Sequence, residues 1–269
     1  WTWLRVPETL RVEFKGTPAE WVMGKDLALY ILSELGLDGA VYRAVEVGGP
    51  TLDSYDMDDR FSVTNMLIEA GAMAAFVDPD EITQKYVDER IDEEYILHES
   101  DPSAETEERY EFDCDDMGPL IAAPNSPANV KPIGDVSGTS IDQAVIGSCT
   151  NCRLNDLEVA ARVLNGQKID PNVRLIITPG TREIQSQAFK NGWMKTFHEA
   201  GASMGSPGCG ACFGEHIGVL GEDEVAISTT NRNFVGRMGA DSSEVYLSNP
   251  AVAAASAITG KITHPEEVM

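Results

Sequence analysis

Short apolar stretches with a two-residue period alternate along this chain with longer ones whose period is close to four. That is the pattern of strands exchanging with amphipathic helices. Near the N-terminus Arg11-Val12-Glu13-Phe14 reads as a strand. Residues 25–35 carry Leu27, Ile31 and Leu35 at four-residue spacing, a helical face closed by Gly36. Residues 40–47 are again strand-like and 62–70, with Met66 and Leu67, helical. Asp78-Pro79-Asp80-Glu81 has the residues of an N-terminal cap for a further helix.

The pattern then breaks. Between residues 93 and 117 acids cluster as Glu93-Glu94, Glu105, Glu107-Glu108, Asp113 and Asp115-Asp116. The segment is expected to cross between two lobes, its first half mobile because it offers little apolar surface to bury. Prolines between residues 122 and 132 imply an extended strap. Periodicity returns with Ala144-Val145-Ile146-Gly147, a buried strand, and with Leu154, Leu157, Ala161 and Leu164 on one face of a helix stopped by Gly166. Residues 173–178 form the next strand and a helix follows from Thr181. Val225-Ala226-Ile227-Ser228 is another strand and 250–258 a helix of small residues. The reading is an α/β protein: a first α/β lobe at 1–92, an acidic linker and strap at 93–139, and a second lobe at 140–269, with mostly parallel sheets. Ligands of such lobes sit in loops at the carboxyl ends of strands. Cys149 and Asn231 both follow directly on predicted strands.

A length of 269 residues with 42% hydrophobic content supports a full core of one large or two medium domains. No apolar run reaches the roughly 18–20 residues that span a bilayer. The opening Trp1-Thr2-Trp3 carries no signal peptide and reads as the middle of a longer protein. The formal net charge of −24 repels nucleic acid and anionic membranes, which excludes both as primary partners. It also repels a free dicarboxylate, so any anion site must be a local basic pocket. The acid excess is either a plain solvated surface or, with lysine scarce, an adaptation to high salt. Five cysteines, an odd number without a secretory signal, argue for metal-binding or catalytic thiols in a reducing compartment, by default the cytoplasm.

Cys149 lies in Gly147-Ser148-Cys149-Thr150-Asn151, and Cys209 and Cys212 in Pro207-Gly208-Cys209-Gly210-Ala211-Cys212. One lone thiolate and one C-x-x-C pair in small-residue loops can hold three corners of a cubic iron–sulfur cluster. Cys149-Thr150-Asn151-Cys152 is itself a C-x-x-C, but the two pairs are separated by several elements, unlike a compact zinc ribbon. A zinc site joining distant loops, a redox dithiol and purely structural thiols stay open on spacing alone. In Asn231-Arg232-Asn233-Phe234-Val235-Gly236-Arg237 two guanidiniums five residues apart form a local anion trap. The histidines show no ligand spacing.

The three motifs Ile146–Asn151, Pro207–Cys212 and Ser228-Thr229-Thr230-Asn231-Arg232-Asn233-Phe234-Val235-Gly236-Arg237-Met238-Gly239 stand in the order seen in the aconitase superfamily. The chain resembles that family over nearly its whole length, within it the large subunits of 3-isopropylmalate dehydratase and homoaconitase. The resemblance implies two α/β lobes of the aconitase type and a 4Fe-4S cluster on Cys149, Cys209 and Cys212, with one iron left open. Cys114 and Cys152 fall outside the ligand set. It further implies that Arg232 and Arg237 hold substrate carboxylates and that Asn231 hydrogen-bonds near the cluster. Glu46 matches a family glutamate that faces the leaving hydroxyl. Asn65-Met66 and Glu69 also fit the family pattern and are read mainly as helix packing. The implied activity is a hydro-lyase isomerising a di- or tricarboxylate hydroxy acid: 3-isopropylmalate, as in leucine biosynthesis, homocitrate or homoaconitate, or citrate. A family lobe carrying Gly-Asp-Ser-His-Thr has no counterpart here, nor has the swivelling domain or small subunit that carries the catalytic serine. A partner is therefore expected, with apolar surface where it docks and negligible turnover without it. A non-catalytic iron–sulfur or zinc scaffold is the alternative.

Overall fold

The structure is a computed structural model that describes residues 2–101 and 103–269, leaving Trp1 of the opening Trp1-Thr2-Trp3 outside the described residues. Strand β1 (Glu8–Lys15) turns Leu10, Val12 and Phe14 inward at every second position, all fully buried. Helix α1 (Gly24–Leu35) buries Leu27 and Ile31, and Gly36 ends it at φ 69°. Strand β2 (Arg43–Gly48), helices α2 (Pro50–Asp53) and α3 (Met57–Met66), strand β3 (Ala74–Phe76) and helix α4 (Glu81–Asp88) follow. The predicted cap of α4 is made by Asp80, whose side chain accepts from Thr83 N at 3.0 Å.

The second half of the acidic segment is ordered. It supplies strand β4 (Glu108–Asp113), which completes a parallel sheet of order β3-β2-β1-β4. Register pairs Val12 with Tyr110 and Phe14 with Phe112. The Phe14 and Phe112 rings lie 5.5 Å apart, and Phe112 is buried. The outward positions of β4, Arg109, Glu111 and Asp113, are charged because only one face of this edge strand is covered. The strap is a pair of short antiparallel strands, β5 (Leu120–Ala122) and β6 (Val130–Pro132).

The second sheet has the order β6-β5-β11-β10-β7-β8-β9. Its members β7 (Gln143–Gly147), β8 (Arg174–Thr178), β9 (Ser203–Met204), β10 (Val225–Ser228) and β11 (Glu244–Leu247) run parallel, and only β5 and β6 are antiparallel. Helices α5 (Leu154–Leu164), α6 (Arg182–Lys190), α7 (Trp193–Ala200) and α8 (Pro250–Thr259) complete it. Alternation divides the sheet's two faces. Ala144, Ile146 and Ile227 share a core with α5 and α8, while Val145, Ala226, Val245 and Leu247 join the core of the first lobe. The lobes are thus welded through continuous apolar packing, and the fold is α/β with mostly parallel sheets. Among the described residues no helix is long and apolar enough to cross a membrane.

Candidate metal centre

Two cysteine loops meet at the carboxyl ends of neighbouring strands. β7 and β8 are paired so that Gly147 lies beside Thr178. Gly147 has φ +145°, and a Cβ there would overlap the Thr178 carbonyl oxygen, so only glycine lets the chain pass. Ser148 follows at φ +138°, a conformation that costs a non-glycine residue about 1–3 kcal/mol. The turn leaves Ser148, Thr150 and Asn151 buried and Cys149 exposed. The second loop settles on the same strand end: Gly208 N donates to Pro179 O at 3.2 Å. Gly210, at φ +55°, sits so close that a Cβ would lie 2.7 Å from Thr178 Oγ1. Cys209 and Cys212 flank this contact, joined by a Cys212 N to Cys209 O bond of 3.1 Å.

The loop after β10 closes the third side. Thr229 Oγ1 accepts from Gly147 N and donates to Asn151 O, both at 3.0 Å, fastening it to the Cys149 turn. Asn231 Nδ2 and Thr150 Oγ1 both donate to Asn65 Oδ1 of α3, at 3.0 and 2.7 Å. Arg232 Nε donates to both oxygens of Glu69, at 2.8 and 2.9 Å, leaving the outer edge of a guanidinium that is 40% exposed. Arg237 Nη2 donates to Cys212 Sγ at 3.8 Å. Cys149, Cys209, Cys212, Asn231, Arg232 and Arg237 therefore gather at one end of the second sheet.

Glu46 does not join them. Its carboxylate is bound by Arg11 on the neighbouring strand and accepts from Ser100 Oγ at 2.9 Å. It lines a polar pocket with Asp78, Asp101 and Arg109, apart from the cysteine loops. In-register pairing of β1 and β2 sets Arg11 directly beside it. The carboxylate at the site is Glu69, only 8% exposed, and the amide is Asn65. Both fit the family pattern in the sequence, where their spacing reads mainly as helix packing. A Lys25 ammonium, fully buried at the start of α1 and without any motif to mark it in the sequence, donates to Thr230 O at 2.7 Å and Thr229 O at 3.3 Å.

Burial separates the five cysteines. Cys149 and Cys209 are exposed and Cys212 half-buried, all free, whereas Cys114 and Cys152 are buried. Burial pushes the Cys114 thiol up to about 11 and Cys152 well above its ordinary value, so both stay protonated in the core. Cys152 spends its thiol on Ile146 O, 3.8 Å away. Among the described residues no three His, Cys, Asp or Glu side chains are placed to hold a single metal ion. That counts against one zinc ion, but a cubic cluster sets each thiolate on a different iron. Unpartnered buried atoms at the same place favour a larger guest: Thr178 Oγ1 and Arg237 Nε can donate to sulfur or carboxylate, and Asn231 Oδ1 can accept from a hydroxyl. The donor set fits a cluster with a small oxygen-rich ligand. Phe213, Phe234 and Val235, beside these residues in sequence, are exposed.

Comparison with known proteins agrees with this chemistry. The sequence profile of the Aconitase family (aconitate hydratase) matches residues 1–138 and 131–260. The chain is 51% identical over 268 residues to the 3-isopropylmalate dehydratase large subunit of Desulfitobacterium hafniense (strain Y51), covering 99% of this chain and 64% of that protein. It is 49% identical over 269 residues to the large subunit of the same name from Halothermothrix orenii, covering 100% and 64%. The corresponding protein of Sulfurihydrogenibium sp. (strain YO3AOP1) is 48% identical over 267 residues, with 99% and 62% covered. The chain thus spans just under two thirds of the length of these relatives.

Proposed function

Since the chain belongs to the aconitase family, we propose that it carries the cluster-binding part of a hydro-lyase that isomerises a malate-type hydroxy acid such as 3-isopropylmalate by dehydration and rehydration. The observation that carries this reading is the gathering of two cysteine loops, two arginines and a buried glutamate at the carboxyl ends of β7, β8 and β10. Cys149, Cys209 and Cys212 would hold a 4Fe-4S cluster. When bound, the cluster supplies a Lewis acid at an open iron, which polarises a substrate hydroxyl.

The chain's own residues do the rest. Arg232 grips one substrate carboxylate with the N–H edge that Glu69 leaves free. Arg237, anchored beside Cys212, holds a second. Local guanidiniums prevail over the acidic field because at physiological salt the Debye length is about 8 Å, so distant carboxylates are screened. Glu69, buried and bonded to Arg232, is the carboxylate that faces the departing hydroxyl at this end of the sheet, alongside the role that the family resemblance implies for Glu46. Asn231 orients that hydroxyl through Oδ1. The relatives are named large subunits, and the base that removes the carbon-bound proton is supplied by a small partner chain. The exposed Phe213, Phe234 and Val235 suit such a contact. Free, unpaired cysteines fit a cytoplasmic setting.

The test combines the chain, reconstituted anaerobically with iron and sulfide, with the Gly-Asp-Ser-His-Thr lobe and the small subunit of a relative, each supplied as a separate chain. 3-Isopropylmalate, homocitrate and citrate are offered in turn, and the unsaturated acid is followed by ultraviolet absorbance. Turnover of one of them, with affinity weakened in Arg232→Lys, which lacks the bidentate fork, supports the proposal. An intact cluster with no turnover of any hydroxy acid would sink it.

A further inference from the structure

Lys25 is a fully buried cation that the proposed chemistry leaves unused. Its side chain is fully buried, yet it belongs to the first lobe while its hydrogen-bond partners, Thr229 O and Thr230 O, belong to the second. Lysine is rarely found fully buried unless it is paired. Its location is also specific. Thr229 and Thr230 form the two-residue bridge between β10 and the pair Asn231-Arg232. The Thr229 hydroxyl is the same one that pins Gly147 N and Asn151 O in the Cys149 turn. One ammonium therefore holds the peptide from which both halves of the site hang.

We propose that Lys25 is a positioning residue of this site: its ammonium clamps the Thr229 and Thr230 carbonyls and so sets the seat of the Cys149 loop and the presentation of Asn231 and Arg232 together. Directional hydrogen bonds to two successive carbonyls fix the peptide planes, and with them the direction in which the next two side chains leave the backbone. A buried charge makes this a stiff restraint, because a charged hydrogen bond is stronger than a neutral one. The surroundings supply the compensation such a charge requires: Cys212, Asp156, Asp26 and Glu69 all act on it, and against them burial draws the ammonium down only to about 8. It stays charged at neutral pH. The link also explains why α1 must meet the second lobe at its N-terminus. Asp26, the next residue, accepts from Leu120 N at 2.8 Å and Asn249 Nδ2 at 2.9 Å, holding the same turn of helix against the second sheet.

The inference rests on the proposed function for its consequence but not for its geometry, and the test separates the two. Amide hydrogen exchange is measured on the full chain without cluster, for wild type, Lys25→Met and Lys25→Gln. Exchange at the Gly147 and Thr229 amides is expected to rise by on the order of tenfold in Lys25→Met, less in Lys25→Gln, which keeps a donor, and not in β1 or β8. On the reconstituted chain, malate serves as a hydroxy dicarboxylate probe. Its affinity should fall about tenfold in Lys25→Met and by less in Lys25→Gln while the visible spectrum of the bound cluster persists. Unchanged local exchange, or a rise spread evenly over the molecule, would overturn the assignment, as would full malate affinity in Lys25→Gln. Should the wild type take up no cluster while the local exchange effect is seen, the clamp stands and the proposed function falls. Lys25→Gln keeps the exchange test decisive where Lys25→Met fails to fold.

Discussion

Arg232 shows why single residues were only half legible in the sequence. The motif around it, and the cysteines, announced themselves by local spacing, and the structure gathers them. Its partner Glu69 lies 163 positions away and Asn65 lies 166 positions from Asn231. No spacing rule reaches that far, so a buried catalytic candidate was read as helix packing. Glu46, at a predicted strand end, is visible as a carboxylate in the sequence, but its ion pair with Arg11 on the neighbouring strand is not. Replacing Glu69 by Gln removes a negative charge next to Arg232 while keeping its shape. In the reconstituted complex, turnover should fall by about 10²–10⁴-fold with substrate affinity kept or improved. Weakened affinity at unchanged turnover would make Glu69 a mere prop.

A second residue-level outcome concerns pH. Burial raises Asp156 to about 7 and Asp26 to about 6, against their hydrogen bonds from Arg153 N and Met23 N. Each folded carboxyl therefore holds a proton that the unfolded chain has already lost at the same pH. The sign follows from linkage: this stability is fully present below the ordinary carboxylate value and is lost as pH rises through about 6 and about 7. Denaturant midpoints measured from acid to neutral pH should fall more steeply in wild type than in Asp156→Asn. Equal slopes would show that Asp156 titrates normally.

Elements were legible where one face is apolar and the other polar. β1, α1, β7, α5, β8, β10 and α8 follow their periodicity because each buries a continuous apolar face. β4 was hidden by charges on its open face, and β11 by its four-residue length. The connection that matters most for the site, β7 into the Cys149 turn, depends on backbone conformation more than on pattern. Gly147→Ala would place a methyl group against the Thr178 carbonyl at φ +145°. It should cost about 1–3 kcal/mol or more and spread β7 from β8. Thermal unfolding, together with loss of cluster uptake, checks this. A variant as stable as wild type would mean the two strand ends are not in close register.

At the scale of the whole molecule, the sequence pattern implies two lobes separated by an acidic stretch whose first half is mobile. The actual joint is apolar on one side and ionic on the other. Residues of both lobes form one core. At its rim, the Asp58 carboxylate accepts from Leu154 N and Asn155 N at the start of α5, and Arg153 covers the Phe61 ring at 4.4 Å. Surface charge could not reveal this, since it describes what faces water and not what the lobes share. The weld matters for function: the two lobes contribute Asn65 and Glu69 from one side and the cysteines and arginines from the other. A rigid joint keeps these groups in reach of one guest.

The central claim is that Cys149, Cys209 and Cys212 hold one cluster between them. The most direct test is iron and acid-labile sulfide content after anaerobic reconstitution, in wild type and in five single Cys→Ser variants. About four irons and four sulfides per chain are expected in wild type. Serine at Cys149, Cys209 or Cys212 should deplete both, and serine at Cys114 or Cys152 should leave the amount per folded chain unchanged. A single zinc in place of iron, or loading that survives loss of Cys149, would contradict the account.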